Sequence, residues 1–188
     1  MAKRSGGFPG MGGNMNQLMK QAQKMQKQME ENFPKSESMP VKFMAKSKDI
    51  DLYAVFDRDL NNVFIGFEGR YVFGRGVYIF YLSVGKNFQG MGYGSRIINK
   101  IFELYPGKTV FLDLEQLDER AENALQRQRR TRFHLRNGFY YTGMGLHYYG
   151  VDYELLSSSR QGETEKFKEI AEYLRPKGFK VSYSRLNY

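Results

Sequence analysis

The chain has no cysteine and no tryptophan, only two histidines, and five prolines among 188 residues. Without cysteine there is no disulfide framework, no thiolate metal ligand and no thiol nucleophile. Two histidines, His134 and His147, are too few for an ordinary zinc site, so no metal is expected. No apolar run is long enough to span a bilayer. Lys3 and Arg4 lead into glycine instead of the apolar core of a signal peptide. The expectation is a cytoplasmic protein with no membrane partner. Acidic residues are also scarce: 20 Asp and Glu face 29 Lys and Arg, a net charge of +9. That excess favours anionic partners, whether nucleotide phosphates, nucleic acid or acidic protein surfaces.

Glycine, by contrast, is well supplied, and three glycines punctuate one informative stretch, Val84 to Arg96. Upstream, Val77 to Val84 is rich in β-branched and aromatic residues, as in a buried strand. Downstream, Ile97, Ile98, Ile101, Phe102 and Tyr105 recur at helical spacing until Pro106-Gly107. Between them Gly90, Gly92 and Gly94 occupy alternate positions where the helix begins. Such a turn leaves backbone N–H groups uncovered at the positive end of a helix dipole, where a phosphate can dock. The spacing is not the G-x-G-x-x-G of a dinucleotide site, and Gly94-Ser95-Arg96 lacks the lysine of a P-loop. A glycine-rich turn with no ligand is the plain alternative. Gln89-Gly90-Met91-Gly92-Tyr93-Gly94 resembles the Q/R-x-x-G-x-G/A element of the GNAT acyltransferases.

The resemblance extends over residues 51 to 156. Leu52 to Phe56 and Val63 to Phe67 read as a strand pair turned at Asp57 to Asn62. Val77 to Val84 is the strand before the loop, Arg96 to Tyr105 the helix after it, and Lys108 to Glu115 a further strand. A long helical stretch runs through Arg136. Asn137-Gly138-Phe139 then resembles the family's G-F turn, and strands close the pattern at Tyr140 to Thr142 and Val151 to Leu156. The implied fold is α/β (α+β): a GNAT-like, mixed but mostly antiparallel sheet flanked by helices. An N-terminal Met-rich helix precedes it, and the acceptor-side helices are shortened. A complete domain of this family begins with a strand and two helices, yet only Ser36 to Ile50 are available. Val41 to Lys46 reads as the strand.

The resemblance implies acetyl-coenzyme A as acyl donor and an amine as acceptor, with direct attack on the thioester. Backbone groups of Leu82, Ser83 and Val84 would hold the pantetheine arm. Amides of Gln89, Gly90, Met91, Gly92, Tyr93, Gly94 and Ser95 would hold the pyrophosphate. The reaction asks for a base and a proton donor. His134 stands where many family members carry a tyrosine before the G-F turn, in Phe133-His134-Leu-Arg-Asn-Gly138-Phe139. It reads either as the donor or as a surface residue, with Tyr141 and Tyr140 as neighbouring alternatives. Glu115 ends its strand, where open α/β sheets place ligands, and reads either as the base or as a helix-capping acid; Glu68 is a second candidate. Arg127 to Arg132 and Arg136 carry much of the positive charge. They read as a solvated face paired with Glu119 and Glu122, or as an attractor for phosphates. The acceptor is an amine-bearing small molecule or peptide; Tyr148, Tyr149 and Tyr153 read either as an aromatic edge for it or as packing residues of the closing strands.

The first thirty-five residues differ in kind. Residues 1–13 are a Gly-rich leader expected to be flexible. Residues 14–35 hold a helix in which Met15, Leu18, Ala22, Met25 and Met29 repeat at three- and four-residue steps, a seam that pairs helices. Gly7 to Asn14 and Leu18 to Glu30 resemble the start of the YbaB-type nucleoid-associated proteins. That resemblance implies a homodimer contact and, more weakly, DNA as a partner. Residues 36–156 are then the GNAT-like domain, and 157–188 a C-terminal extension. In the extension Thr164 would cap a short helix burying Phe167, Ile170, Ala171 and Leu174, followed by a strand over Lys180 to Ser184.

Overall fold

The computed structural model describes residues 51–187. The Gly-rich leader, the Met-rich helix, the strand expected at 41–46 and the domain start at 36 lie outside the described residues. The elements follow in order as β1 (Asp51–Asp57), β2 (Val63–Phe73), β3 (Gly76–Val84), α1 (Tyr93–Leu104), β4 (Thr109–Glu115) and α2 (Ala124–Arg136). Then come β5 (Tyr140–Tyr148), β6 (Val151–Ser157), α3 (Thr164–Leu174) and β7 (Ser182–Arg185). The strands form one sheet in the order β1-β2-β3-β4-β6-β5-β7. Among the described residues only β3 and β4 run parallel, joined by the α1 crossover that a parallel pair requires.

One face of the sheet packs against α1 and α2. Ile97, Ile98 and Ile101 of α1 are buried on Val77, Ile79, Val110, Leu112 and Leu156. Each fully buried isoleucine contributes about 1.5–3 kcal/mol of transfer free energy. The other face is covered by α3, whose Phe167, Ile170, Ala171 and Leu174 bury against Tyr78, Phe111, Leu146 and Leu155. The apolar stripe read from the sequence is thus the one that docks. The C-terminal extension is part of the domain: α3 lies over the sheet, and β7 pairs with β5 at its edge.

Several boundaries differ from the sequence reading, for local reasons. α1 begins at Tyr93 rather than Arg96, because Gly92 takes a left-handed φ of 83° and acts as the N-cap. Residues 116–123 are not helical; Asp118 accepts the Arg120 N–H with its side chain, holding a turn that competes with helix. α2 ends in a Schellman arrangement, Phe139 N–H donating to His134 O and Gly138 N–H to Leu135 O, which is the G-F turn in backbone terms. β5 continues to Tyr148, past an irregularity between Tyr141 and Gly145. α3 is capped by Glu163 at φ 50°, not by Thr164, and no side chain closes the cap.

The register of β3 decides where a site can form. Opposite β2, Gly69 pairs with Tyr81 but Arg70 with Ile79, so Phe80 is an extra residue, a bulge. Pairing of β3 with β4 ends at the same place, with Ile79 opposite Leu112. Beyond it, residues 80–84 keep β2 on one side and have no strand on the other. Residues 113–115 keep β6 and likewise lack a strand toward β3. A bulge re-aims its strand, and here β3 and β4 part into a cleft open at their carboxyl ends.

Candidate functional site

The cleft leads straight into the glycine turn. Lys86–Phe88 form one 3-10 turn, and the Gln89 side-chain amide donates to Val84 O at 3.1 Å, tying the loop back to the strand it leaves. Gly90 and Gly92 have φ of 79° and 83°, a region in which side chains are strained. A Cβ at either would meet nothing within 4 Å, so the space in front of the loop is open. Met91, between them, is 60% exposed. Gly94 serves packing: a Cβ there would stand 2.8 Å from Phe133 Cζ of α2.

The first turn of α1 has no intrahelical acceptors for its amides. No side chain caps it, and the first bond of the loop–helix junction is Arg96 N–H to Gly92 O. The N–H groups of Gly92, Tyr93, Gly94 and Ser95 are therefore available to an anion at the positive end of the helix. The side chain of Tyr93 turns inward, its hydroxyl donating to Asp57 Oδ2 at 2.6 Å, while Arg96 Nη1 reaches the same oxygen at 3.3 Å. The Tyr93 hydrogen bond holds the Asp57 carboxyl below its ordinary value, and the same bond raises the Tyr93 phenol. These contacts fix the start of α1 on β1 and leave its backbone facing outward. The loop fits a diphosphate: open space, unpaired donors, fixed position.

Leu82, Ser83 and Val84 line one wall of the cleft. They pair with Glu68, Phe67 and Gly66 of β2, and their other edge is open. On the same face as Leu82 lies Glu68, 2% exposed and in an ion pair with Arg70 at 3.0 Å. The Arg70 guanidinium sits 4.0 Å over the Tyr53 ring and 5.0 Å from that of Tyr105. Burial alone would lower the Arg70 pKa, but Glu68 and Tyr53 raise it overall, so the pair stays ionic.

The opposite wall is β4 backed by β6. Asp113 accepts hydrogen bonds from the hydroxyls of Tyr78 and Tyr148, and Tyr148 stacks on Tyr153 with centroids 4.3 Å apart. Burial raises the Asp113 pKa. Tyr148 and Tyr153 thus belong to the core beneath α3, and the Tyr149 hydroxyl donates to Gly178 O.

Glu115 ends β4 as expected, but its Oε2 accepts from Arg130 Nη2 at 2.6 Å and from Asn123 Nδ2 at 3.2 Å, with Arg127 Nε at 3.6 Å. The α2 arginines that the sequence reading paired with Glu119 and Glu122 pair instead with Glu115. A carboxylate held this way secures α2 to the strand end.

His134 is buried, at 8% exposure, between the rings of Phe133 and Phe139. Burial, and secondarily the charge of Arg130, lowers its pKa to about 4. It is a neutral imidazole near pH 7, neither a surface residue nor an imidazolium acid. Tyr141 is 39% exposed, and burial with the charge of Glu154 raises its pKa. Its phenol therefore keeps its proton through neutral pH. The structure brings the glycine loop and Leu82 to Val84 into one continuous surface. Glu115 and His134 are committed to α2 packing.

Sequence reasoning missed Glu154. It sits on β6 between Leu114 of β4 and Gly145 of β5, 7% exposed, with no hydrogen-bond partner on Oε1 among the described residues. Burial raises its carboxyl to about 7. The signal was present: in Val151 to Leu156 the alternation puts Glu154 on the face of Leu156, which is core.

Against this geometry, the acetyltransferase (GNAT) family profile matches residues 19–139, the larger part of the chain. A GNAT-family protein from Bacteroides thetaiotaomicron superposes with a TM-score of 0.53 at 21% identity, covering 85% of this chain and 92% of that one, which establishes the fold. Two short matches are of another kind. A nucleoid-associated protein of Acetivibrio thermocellus is 42% identical over 65 residues, 35% of this chain and 56% of the relative. One from Clostridium acetobutylicum is 78% identical over 32 residues, 16% of this chain and 27% of the relative. The chain thus spans about half the length of these curated relatives, or less. Those matches fit the resemblance of residues 6–30 to YbaB-type proteins. A family profile over most of the chain, and a sheet that parts beside a glycine turn, identify it as a member of the acetyltransferase (GNAT) family.

Proposed function

We propose that the chain is an acetyl-coenzyme A-dependent N-acetyltransferase that transfers an acetyl group to an amine by direct attack on the thioester. The observation that supports this best is the parting of β3 from β4 at Ile79 and Leu112, directly ahead of a glycine turn that leads into the uncapped first turn of α1. Of the amides from Gln89 to Ser95, those of Gly92 to Ser95 would hold the diphosphate, since Gln89 and Met91 donate to Lys86 O and Phe88 O; the free edge of Leu82, Ser83 and Val84 would hold the pantetheine amides. Bound there, the coenzyme supplies an acyl carbon activated as a thioester. The chain's part is then to orient it, exclude water and move protons.

Of the side chains proposed for proton handling, Tyr141 keeps a phenolic proton available to the departing thiolate. His134, neutral and packed, would position α2 against the G-F turn, and Glu115 would secure the other end of that helix. The acceptor class is an amine-bearing small molecule or peptide. We take the protein to be cytoplasmic; among the described residues no helix is long and apolar enough to cross a membrane. The proposed organisation is a leader and Met-rich helix (1–35), the acetyltransferase domain (36–156) and the extension that completes its sheet (157–188).

Because the chain has no cysteine, thiol release from acetyl-coenzyme A can be followed without background from the protein. Release stimulated by primary amines is expected; none with any amine tried, despite coenzyme binding, would contradict turnover. The short nucleoid-associated matches favour a second reading, a DNA-associated dimer with this domain as a binding module. It requires DNA affinity that falls steeply with salt, as phosphate contacts release counterions.

A further inference from the structure

Two buried carboxylates flank the cleft on the same face of the sheet. Glu68 lies one strand outward from β3, opposite Leu82, and Glu154 one strand outward from β4, opposite Leu114. Leu82 and Leu114 both pack toward the α1/α2 core, which fixes the common face. Directly paired residues on neighbouring strands carry side chains about 4.5–5.5 Å apart on one side of the sheet. Glu154 is therefore the neighbour of the open part of β4, within one side chain of the cleft. Its other strand neighbour is Gly145, whose missing Cβ makes way for Ser184 Oγ, Leu186 Cδ2 and Gln116 Nε2.

The two acids differ in commitment. Glu68 has a buried guanidinium at 3.0 Å; among the described residues Glu154 has no ion pair, and its Oε1 is buried there without a hydrogen bond. A buried carboxyl without a partner is costly as an anion and ready to exchange a proton. The titratable or charged groups on the elements around it include Asp113 and Glu115 of β4, Arg127, Arg130 and His134 of α2, Asp152 and Tyr153 of β6, Tyr141, His147 and Tyr148 of β5, and Arg185 of β7. Asp113 is taken by two tyrosines, Glu115 by two arginines, and His147 by Asp152. Burial, and after it the charge of Glu154, raises the Tyr141 phenol.

Resting on the acetyltransferase reading above, we infer that Glu154 is the proton acceptor of the reaction, taking the amine proton directly or through one water. The amine lone pair forms the C–N bond, and the C–S bond breaks with its electron pair on sulfur. The amine proton passes to the Glu154 carboxylate and from there to solvent, and the thiolate takes a proton from Tyr141 or water. A carboxyl poised near pH 7 suits this role, because it is partly ionised yet basic enough to accept.

The test is Glu154→Gln, an isosteric change that also removes a buried ionisable group, so folding should survive. Carbon-13 labelling of glutamate follows every carboxyl by NMR with and without coenzyme A. Thiol release is followed with acetyl-coenzyme A and a set of primary amines: spermidine, an aminoglycoside and a short peptide. We expect one carboxyl that titrates near pH 7, shifts on addition of coenzyme A and is missing from Glu154→Gln. Turnover should fall about a hundredfold or more with loss of the acidic limb of the pH–rate profile, while coenzyme A binds as tightly as before. An unshifted carboxyl that ignores the coenzyme, or an unchanged pH–rate profile in Glu154→Gln, would overturn the assignment. Failure of the wild-type chain to bind coenzyme A would instead remove the acetyltransferase reading, and the assignment with it.

Discussion

The two walls of the cleft solve the same problem in opposite ways. On the β2–β3 wall a buried acid is paired: Glu68 with Arg70, which is itself stacked on aromatic rings. On the β4–β6 wall a buried acid is left without a partner among the described residues, Glu154 beside Leu114 and Gly145. The first arrangement fixes a charge and stiffens the wall. The second keeps a proton mobile. Where a protein leaves a buried carboxyl without a partner next to an opening, the site's chemistry is the physical reason to look for.

The comparison can be broken most forcefully from the paired side. Arg70→Met would leave Glu68 buried without its partner and should cost about 3–5 kcal/mol of stability, read from chemical denaturation. A loss under about 1 kcal/mol would mean that Glu68 is not held by that pair.

On the other wall the sign reverses. Because the folded Glu154 carboxyl titrates near 7 against an ordinary 4.5, the folded state holds a proton that the unfolded chain has released. Its stabilisation is full below about pH 4.5 and is lost as pH rises to 7. Glu154→Gln should therefore be more stable than wild type by about 3 kcal/mol above pH 7 and equal to it near pH 4.

His134 sharpens the contrast with a slope of equal size and opposite sign. Its folded pKa is near 4 against 6.5, so its contribution is full above 6.5 and lost as pH falls to 4. Between pH 4.5 and 6.5 the two groups act in opposite directions, each by about 1.4 kcal/mol per pH unit. Wild-type stability should be nearly flat there as far as these groups decide it. Glu154→Gln should expose a rising slope and His134→Leu a falling one. Parallel pH profiles for the three proteins would contradict both burial arguments.

What could be read from the sequence was local. The glycine turn, the helix after it and the buried face of α3 all follow from spacing within a dozen residues, and Gly92, Ile97, Ile98, Phe167 and Ile170 stand where the pattern put them. The cleft itself was not legible, because it depends on register: the extra residue at Phe80 matters only against β2, and the last pair Ile79–Leu112 only against β4. The same holds for side-chain partners. Glu115 looks like a free acid at a strand end until Arg127 and Arg130 arrive from α2 across a turn held by Asp118. His134 looks exposed among arginines until Phe133 and Phe139 close on it. Glu154 could have been suspected from strand alternation, but its lack of a partner is a property of the assembled sheet.

The most direct measurement is a calorimetric titration of wild type and Gly92→Val with coenzyme A, with circular dichroism to confirm that the variant is folded. Valine at φ 83° is a strained conformation for a β-branched residue and would misdirect the amides of the first turn of α1. Saturable binding to wild type, weakened a hundredfold or more in a folded Gly92→Val, is the predicted result. Equal affinity in the two proteins, or none in wild type at millimolar coenzyme, would contradict the assignment of this cleft and loop as the coenzyme site.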